Sequence, residues 1–119
     1  MKLLLENLPP SLQGQRETLT RCIEAMDAAL PIQQVLLFGS HARGEARPDS
    51  DVDLCLVAEG AERQLKAAQK FRSALWDIWP APAFTLVPIT PDRLAEKRLS
   101  GDHFFRTVLK EGVPLATQD

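Results

Sequence analysis

The run Val35-Leu36-Leu37-Phe38 limits the fold more than any other feature of the chain. Four apolar residues in succession, without polar alternation, predict a short strand that is buried on both faces. Such a strand needs a layer of secondary structure on each side, and helices are the usual cover. The sequence therefore predicts an α/β (α+β) domain in which helices pack on a small mixed β-sheet.

Apolar periodicity and proline positions predict the remaining elements. Apolar residues at three- and four-residue steps from Leu12 to Met26 predict a first helix, and Pro31 lies just beyond its end. The segments expected after the buried strand are a turn of helix and a loop (41–50), a strand (51–57), a long helix (about 61–79), a strand (84–87) and two helices (from Thr90 to about Leu99, and from Asp102 to Glu111). The inner face of the long helix is assigned to Leu65, Ala68, Phe71, Leu75 and Ile78.

Size and charge narrow the class of protein. A chain of 119 residues that is 45% apolar fits one compact domain, residues 1–119. A net charge of −2 argues against direct nucleic-acid binding through phosphate neutralisation, although it does not exclude a local basic patch. No apolar run is long enough for a membrane span. Cys22 and Cys55 are isolated and are assigned to the core, which fits a reduced, cytoplasmic protein.

Two acids open the second predicted strand. Side chains alternate along a strand, so Asp51 and Asp53 share one face while Val52, Leu54 and Leu56 take the other. The Cα atoms of the two acids would lie roughly 6.5–7 Å apart. Two carboxylates at this spacing can hold Mg²⁺, which prefers oxygen ligands. The alternative is an exposed edge strand with two solvated acids.

Gly39-Ser40 follows the buried strand directly. Glycine lets a backbone approach a phosphate closely, and N–H groups at the start of a helix bind anions. The hydroxyl of Ser40 can add a hydrogen bond to a phosphate oxygen. The alternative is a simple turn between strand and helix with a capping serine.

The two features together form the stretch GSHARGEARPDSDVDL, in which ten residues separate Ser40 from Asp51. This pattern resembles the DNA polymerase beta-like nucleotidyltransferase superfamily, and within it the minimal nucleotidyltransferases, often the antitoxin partners of HEPN-domain toxins. The ending also resembles these proteins, with a helix, Glu111-Gly112 and an apolar strand.

The resemblance implies a function for each matching residue. Gly39 and Ser40 would contact the triphosphate of ATP, and Asp51 and Asp53 would bind Mg²⁺. A nucleoside monophosphate, AMP from ATP, would pass to a hydroxyl group on a partner protein such as a HEPN toxin. Arg43 would add positive charge near the phosphates or be a solvated helix residue. His41 is expected at the surface, and the oligomeric state is open.

One family position departs from the pattern. A third carboxylate is usual in the strand after the long helix, but Phe84-Thr85-Leu86-Val87 carries Thr85 there. Threonine is neutral and a poor base. The alternative to an enzyme is therefore a catalytically degenerate antitoxin that binds and occludes its toxin. Trp76, Trp79 and Phe84 would then offer a contact surface, although we expect them in the core.

Overall fold

A computed structural model describes residues 1–118 of the chain. The elements in chain order are β1 (Lys2–Leu3), α1 (Arg16–Ala29), β2 (Gln34–Phe38), α2 (Gly39–Arg43), β3 (Val52–Val57), α3 (Gln64–Ala74), β4 (Phe84–Ile89), α4 (Pro91–Ser100), α5 (His103–Glu111) and β5 (Val113–Thr117). Two short 3-10 helices, Leu5–Asn7 and Pro10–Gln15, precede α1. No helix in this part of the chain is long and apolar enough to cross a bilayer.

The strands form one five-stranded mixed sheet in the order β1-β5-β2-β3-β4. The pair β3/β4 is parallel and the other pairs are antiparallel. This confirms the predicted small mixed sheet covered by helices. β1 was not predicted, because a two-residue strand has no periodicity to detect.

Helices cover both faces of the sheet. On one face Val35, Leu37 and the alternate residues of β3 pack with Ile23 of α1 and Phe71 of α3. On the other face Leu36 and Cys55 pack with Val108 of α5. Both cysteines are buried and free, as expected, and burial raises the pKa of the Cys55 thiol to about 12. The buried β2 run thus has the double cover that its composition required.

The long helix was predicted too long and with part of its inner face wrong. α3 begins at Gln64 and ends at Ala74. Leu65 was assigned to the inner face but is 83% exposed, whereas Ala67 and Phe71 are buried. Leu65 lies six residues before Phe71, which places it roughly 120° from Phe71 around a helix of 3.6 residues per turn.

The two tryptophans are also not in the core. Trp76 and Trp79 are 87% and 86% exposed, and only Phe84 of the three aromatic residues is buried. Both tryptophans lie beyond the end of α3, where Leu75 and Ile78 take the positions that pack against the core.

Candidate functional site

The end of β2 brings a glycine against a carboxylate. Gly39 has φ +76°, a conformation that side chains strongly disfavour. A Cβ atom at this position would overlap the Oδ2 atom of Asp53 and lie 3.0 Å from its Cγ. The glycine is therefore required twice, by its backbone angle and by the carboxylate packed against it.

Sheet register aligns the site residues across three strands. Phe38 at the end of β2 lies opposite Asp53 of β3, and Asp53 pairs with Thr85 of β4. Asp51 comes just before β3 and is exposed, whereas Asp53 is half-buried. Parallel pairing of β3 with β4 thus gives the two acids and Thr85 a common edge of the sheet.

Thr85 lies close to both carboxylates. Its hydroxyl donates a hydrogen bond to Oδ2 of Asp51 (3.3 Å). Partial burial raises the pKa of Asp53, an effect partly offset by the Thr85 hydroxyl and strengthened by the negative charge of Asp51. The charge of Asp53 is therefore costly unless a cation neutralises it.

The donor set of this edge fits a hard divalent cation. Asp51 and Asp53 offer carboxylate oxygens, the ligands that Mg²⁺ prefers, and leave positions for water or phosphate oxygens. No group of three or more His, Cys, Asp or Glu side chains within residues 1–118 is arranged to hold a metal ion. At this edge Asp51 and Asp53 are the residues that could hold such a cation, together with a ligand's oxygens.

Arg43, at the end of α2, forms two ion pairs. Its Nε donates to Oε1 of Glu45 (2.7 Å) and its Nη1 lies 3.2 Å from Oε2 of Glu111. These hydrogen bonds, Glu45 first, raise the pKa of Arg43 above its ordinary value. These ion pairs use the Nε and Nη1 groups of Arg43, and the remaining guanidinium N–H donors could contact a phosphate.

The surface position expected for His41 is wrong. His41 is only 6% exposed. Its Nδ1 lies 2.8 Å from the Ser11 hydroxyl, and its Nε2 lies 3.3 Å from the backbone carbonyl oxygen of Ser50. The carbonyl can only accept, so Nε2 is the donor there. The ring therefore joins the second 3-10 helix, Pro10–Gln15, to the residue just before Asp51.

A cleft of about 760 Å³ opens beside this edge, on the side covered by α1. Most of its lining comes from three segments, namely the region before and at the start of α1, the loop after α2, and the segment before β4. Its lining residues are Ser11, Gly14, Gln15, Thr18, His41, Ala46–Ser50, Val52 and Pro80–Ala83. Gly39, Ser40, Asp51, Asp53 and Thr85 lie outside that lining.

Comparison with known proteins identifies the family. The sequence profile of the nucleotidyltransferase domain matches residues 19–113, which include both Gly39-Ser40 and the two acids. The chain belongs to the nucleotidyltransferase domain family.

Curated relatives carry the same kind of domain within much longer chains. The domain is 41% identical over 68 residues to the bifunctional uridylyltransferase/uridylyl-removing enzyme of two strains of Xanthomonas campestris pv. campestris. That alignment covers 56% of this chain and 7% of each enzyme. The chain thus spans a small part of these relatives.

Solved structures share the fold of this nucleotidyltransferase domain. A Sulfolobus solfataricus protein described as a nucleotidyltransferase aligns with a TM-score of 0.57 at 18% identity, covering 86% of this chain and 79% of that one. A crystal structure of a toxin–antitoxin with AMP-PNP aligns with a TM-score of 0.51 at 24% identity, covering 84% and 73%. At these identities the likeness concerns the fold.

Sequence reasoning missed several neighbours of the site in this nucleotidyltransferase domain. Ser11 and Ser50 hold His41, Glu111 binds Arg43, and Phe104 packs on Phe38. The contacts made by Ser11, Glu111 and Phe104 join residues far apart along the chain, so no local spacing signals them. The one available signal was Glu111 itself, in the Glu-Gly close of the last helix.

Proposed function

We propose that this domain is a Mg²⁺-dependent nucleotidyltransferase that transfers AMP from ATP to a hydroxyl group on a partner protein. The contact of Gly39 with Asp53 carries the proposal, because it fixes the backbone turn at Gly39 directly against the carboxylate that we propose as a metal ligand. Family membership supports nucleotidyl transfer in general, and the choices of Mg²⁺, ATP and a protein acceptor are our own.

The proposed reaction is a nucleotidyl transfer to the acceptor hydroxyl. The acceptor oxygen attacks the α-phosphorus of ATP, the bond from that phosphorus to the bridging oxygen breaks, and pyrophosphate leaves while the hydroxyl proton is released. In this proposal the backbone N–H groups of Gly39 and Ser40, and the Ser40 hydroxyl, bind phosphate oxygens. A Mg²⁺ ion held by Asp51 and Asp53 would offset the charge that grows on those oxygens.

The proton of the attacking hydroxyl has no dedicated base at the Thr85 position. General-base help typically contributes about 10²–10⁴ in rate. Asp53, with a raised pKa and a half-buried carboxylate, is better suited than Thr85 to accept a proton, but it also serves the cation. We therefore expect slow transfer.

The partner is proposed to be a HEPN-domain toxin, with this chain as its antitoxin. One solved neighbour of the fold is a toxin–antitoxin with AMP-PNP, an ATP analogue, which supports a toxin as the partner and ATP as the nucleotide.

The experiment is the intact mass of the toxin after co-expression with this chain. We expect an increase by one or more AMP units, lost in the double variant Asp51→Asn/Asp53→Asn and kept in Asp77→Asn, which removes an exposed acid outside the site. If purified domain, toxin, Mg²⁺ and labelled ATP together transfer no label, the proposed activity fails.

A second candidate is a degenerate antitoxin that occludes its toxin without modifying it. Thr85 favours it, because the third carboxylate is missing, and so do the exposed Trp76 and Trp79, which a bound partner would cover. In this case Asp51→Asn/Asp53→Asn still neutralises the toxin, whereas Trp76→Ser/Trp79→Ser does not. Loss of neutralisation in a folded Asp51→Asn/Asp53→Asn variant would exclude this candidate.

A further inference from the structure

Phe104 is an aromatic side chain left partly open to solvent, with 47% of its surface exposed. It lies in the first turn of α5, the helix whose Phe105 and Val108 pack on the same sheet face as Cys55. Strand alternation places Asp53 on that face too. The other large apolar side chains exposed within residues 1–118 are Leu65, Trp76, Trp79 and Leu99.

The ring of Phe104 is one side chain away from the carboxylate site. It packs edge-to-face on Phe38, with 5.7 Å between ring centroids. Phe38 precedes Gly39 and lies opposite Asp53 in the sheet. Directly opposite residues of an antiparallel pair have Cβ atoms about 4.5–5.5 Å apart. Phe38 is thus next to Gly39 along the chain and opposite Asp53 across the sheet, so the aromatic pair borders the candidate phosphate site.

Two further contacts fix the ring in place before any ligand binds. Phe105, a core residue, packs edge-to-face on Phe104 at a centroid distance of 5.0 Å. Asp102 caps α5 by accepting a hydrogen bond from the backbone N–H of Phe105 (3.0 Å) and is itself paired with Lys97 (3.4 Å). The helix start that carries Phe104 is thus held by a cap and by the core.

We propose that Phe104 is the platform on which the base of the nucleotide stacks. The inference rests on the proposed function, which places the triphosphate at Gly39-Ser40. The base of a nucleotide extends beyond its phosphates and presents a flat face, and an anchored, half-exposed ring beside the phosphate site suits that face. Stacking on an aromatic ring accepts any base, so Phe104 contributes affinity and little choice among bases.

The test compares two ligands that share the phosphates and differ in the base. Binding of α,β-methylene-ATP and of inorganic tripolyphosphate, each with Mg²⁺, is measured by titration calorimetry. We expect Phe104→Ala to weaken α,β-methylene-ATP binding about 5- to 100-fold and to leave tripolyphosphate binding unchanged. Phe104→Trp keeps a stacking face and should bind both like the natural chain.

Two more variants separate stacking from folding. Leu99→Ala removes an 89% exposed side chain of α4 and should change neither affinity. Phe104→Leu keeps an apolar side chain against Phe38 but has no ring face, so it should also lose affinity for α,β-methylene-ATP alone. Phe104→Leu replaces Phe104→Ala in the test if Phe104→Ala unfolds below the assay temperature.

The outcomes distinguish the inference from the proposed function. The stacking role is overturned if Phe104→Leu binds α,β-methylene-ATP as tightly as the natural chain, or if the variants lose equal affinity for both ligands. Either result leaves the proposed nucleotidyl transfer unaffected. Phe104→Ala could also bind the nucleotide normally and yet lose transfer to the partner. That result would assign the ring to acceptor binding and would also overturn the stacking role. If the natural chain binds neither ligand, the proposed function fails, and the inference fails with it.

Discussion

The substitution Gly39→Ala tests whether this glycine is needed for its backbone angle alone or also for the carboxylate beside it. Gly39 and Gly44 bracket α2 and have nearly the same backbone angle, φ +76° and +74°. A Cβ atom at Gly44 would meet nothing within 4 Å, whereas one at Gly39 would overlap the Asp53 carboxylate. The pair thus separates left-handed strain from steric conflict.

The expected costs follow from these two terms. A non-glycine residue in the left-handed region costs about 1–2 kcal/mol, which is the whole expected effect of Gly44→Ala. Forcing atoms into a packed site adds about 1–3 kcal/mol, so Gly39→Ala should lose about 2–5 kcal/mol of unfolding free energy. Asp53 must also move, and Gly39→Ala should therefore lose Mg²⁺-dependent nucleotide binding that Gly44→Ala keeps.

Urea denaturation of both variants measures the free energies, and the same pair in an Asp53→Ala background isolates the contact. Truncating Asp53 removes the overlapping oxygen, so the excess cost of Gly39→Ala over Gly44→Ala should largely disappear there. Equal costs for the two glycine variants in the natural background, with nucleotide binding intact in Gly39→Ala, would refute this reasoning.

Three further predictions concern the neighbouring side chains. Because burial raises the pKa of Asp53 in the folded chain, its charge destabilises the protein above that pKa and not below the unfolded value of about 3.9. Asp53→Asn should then raise the melting temperature at pH 7, with the gain fading toward pH 4 in thermal melts, and a gain that grows on acidification would contradict this. Thr85→Asp should speed AMP transfer, measured by mass spectrometry, by about 10²–10⁴-fold, and it should lower stability without Mg²⁺. Thr85→Val is the control, and an unchanged rate in Thr85→Asp would argue against a missing base. His41→Ala removes a buried ring and its hydrogen bonds to the Ser11 hydroxyl and the Ser50 carbonyl. Chemical denaturation should give a loss of about 0.5–1.5 kcal/mol for each bond, and a larger loss than for Ser11→Ala. A variant as stable as the natural chain would show that neither bond contributes.

Local patterns in the chain were enough to predict the class of sheet and to select the candidate site residues. The unbroken apolar run of β2 required cover on both faces, and the structure provides it. The alternation Asp51-Val52-Asp53-Leu54 placed acids and core residues on opposite sides, because the side-chain period of a strand is two. Both are properties of neighbouring residues, which is why sequence alone could give them.

Contacts between distant segments were decided only by the tertiary structure. Nothing near His41 in the sequence indicates that Ser11 will bury its ring, and nothing near Arg43 indicates that Glu111 will pair with it. Trp76 and Trp79 were misplaced for the same reason, since where α3 ends depends on which side chains the sheet accepts. Gly39 depends on both the sequence and the tertiary structure. The motif marked it as a candidate site residue, but its contact with Asp53 exists only because β2 and β3 pair in one particular register.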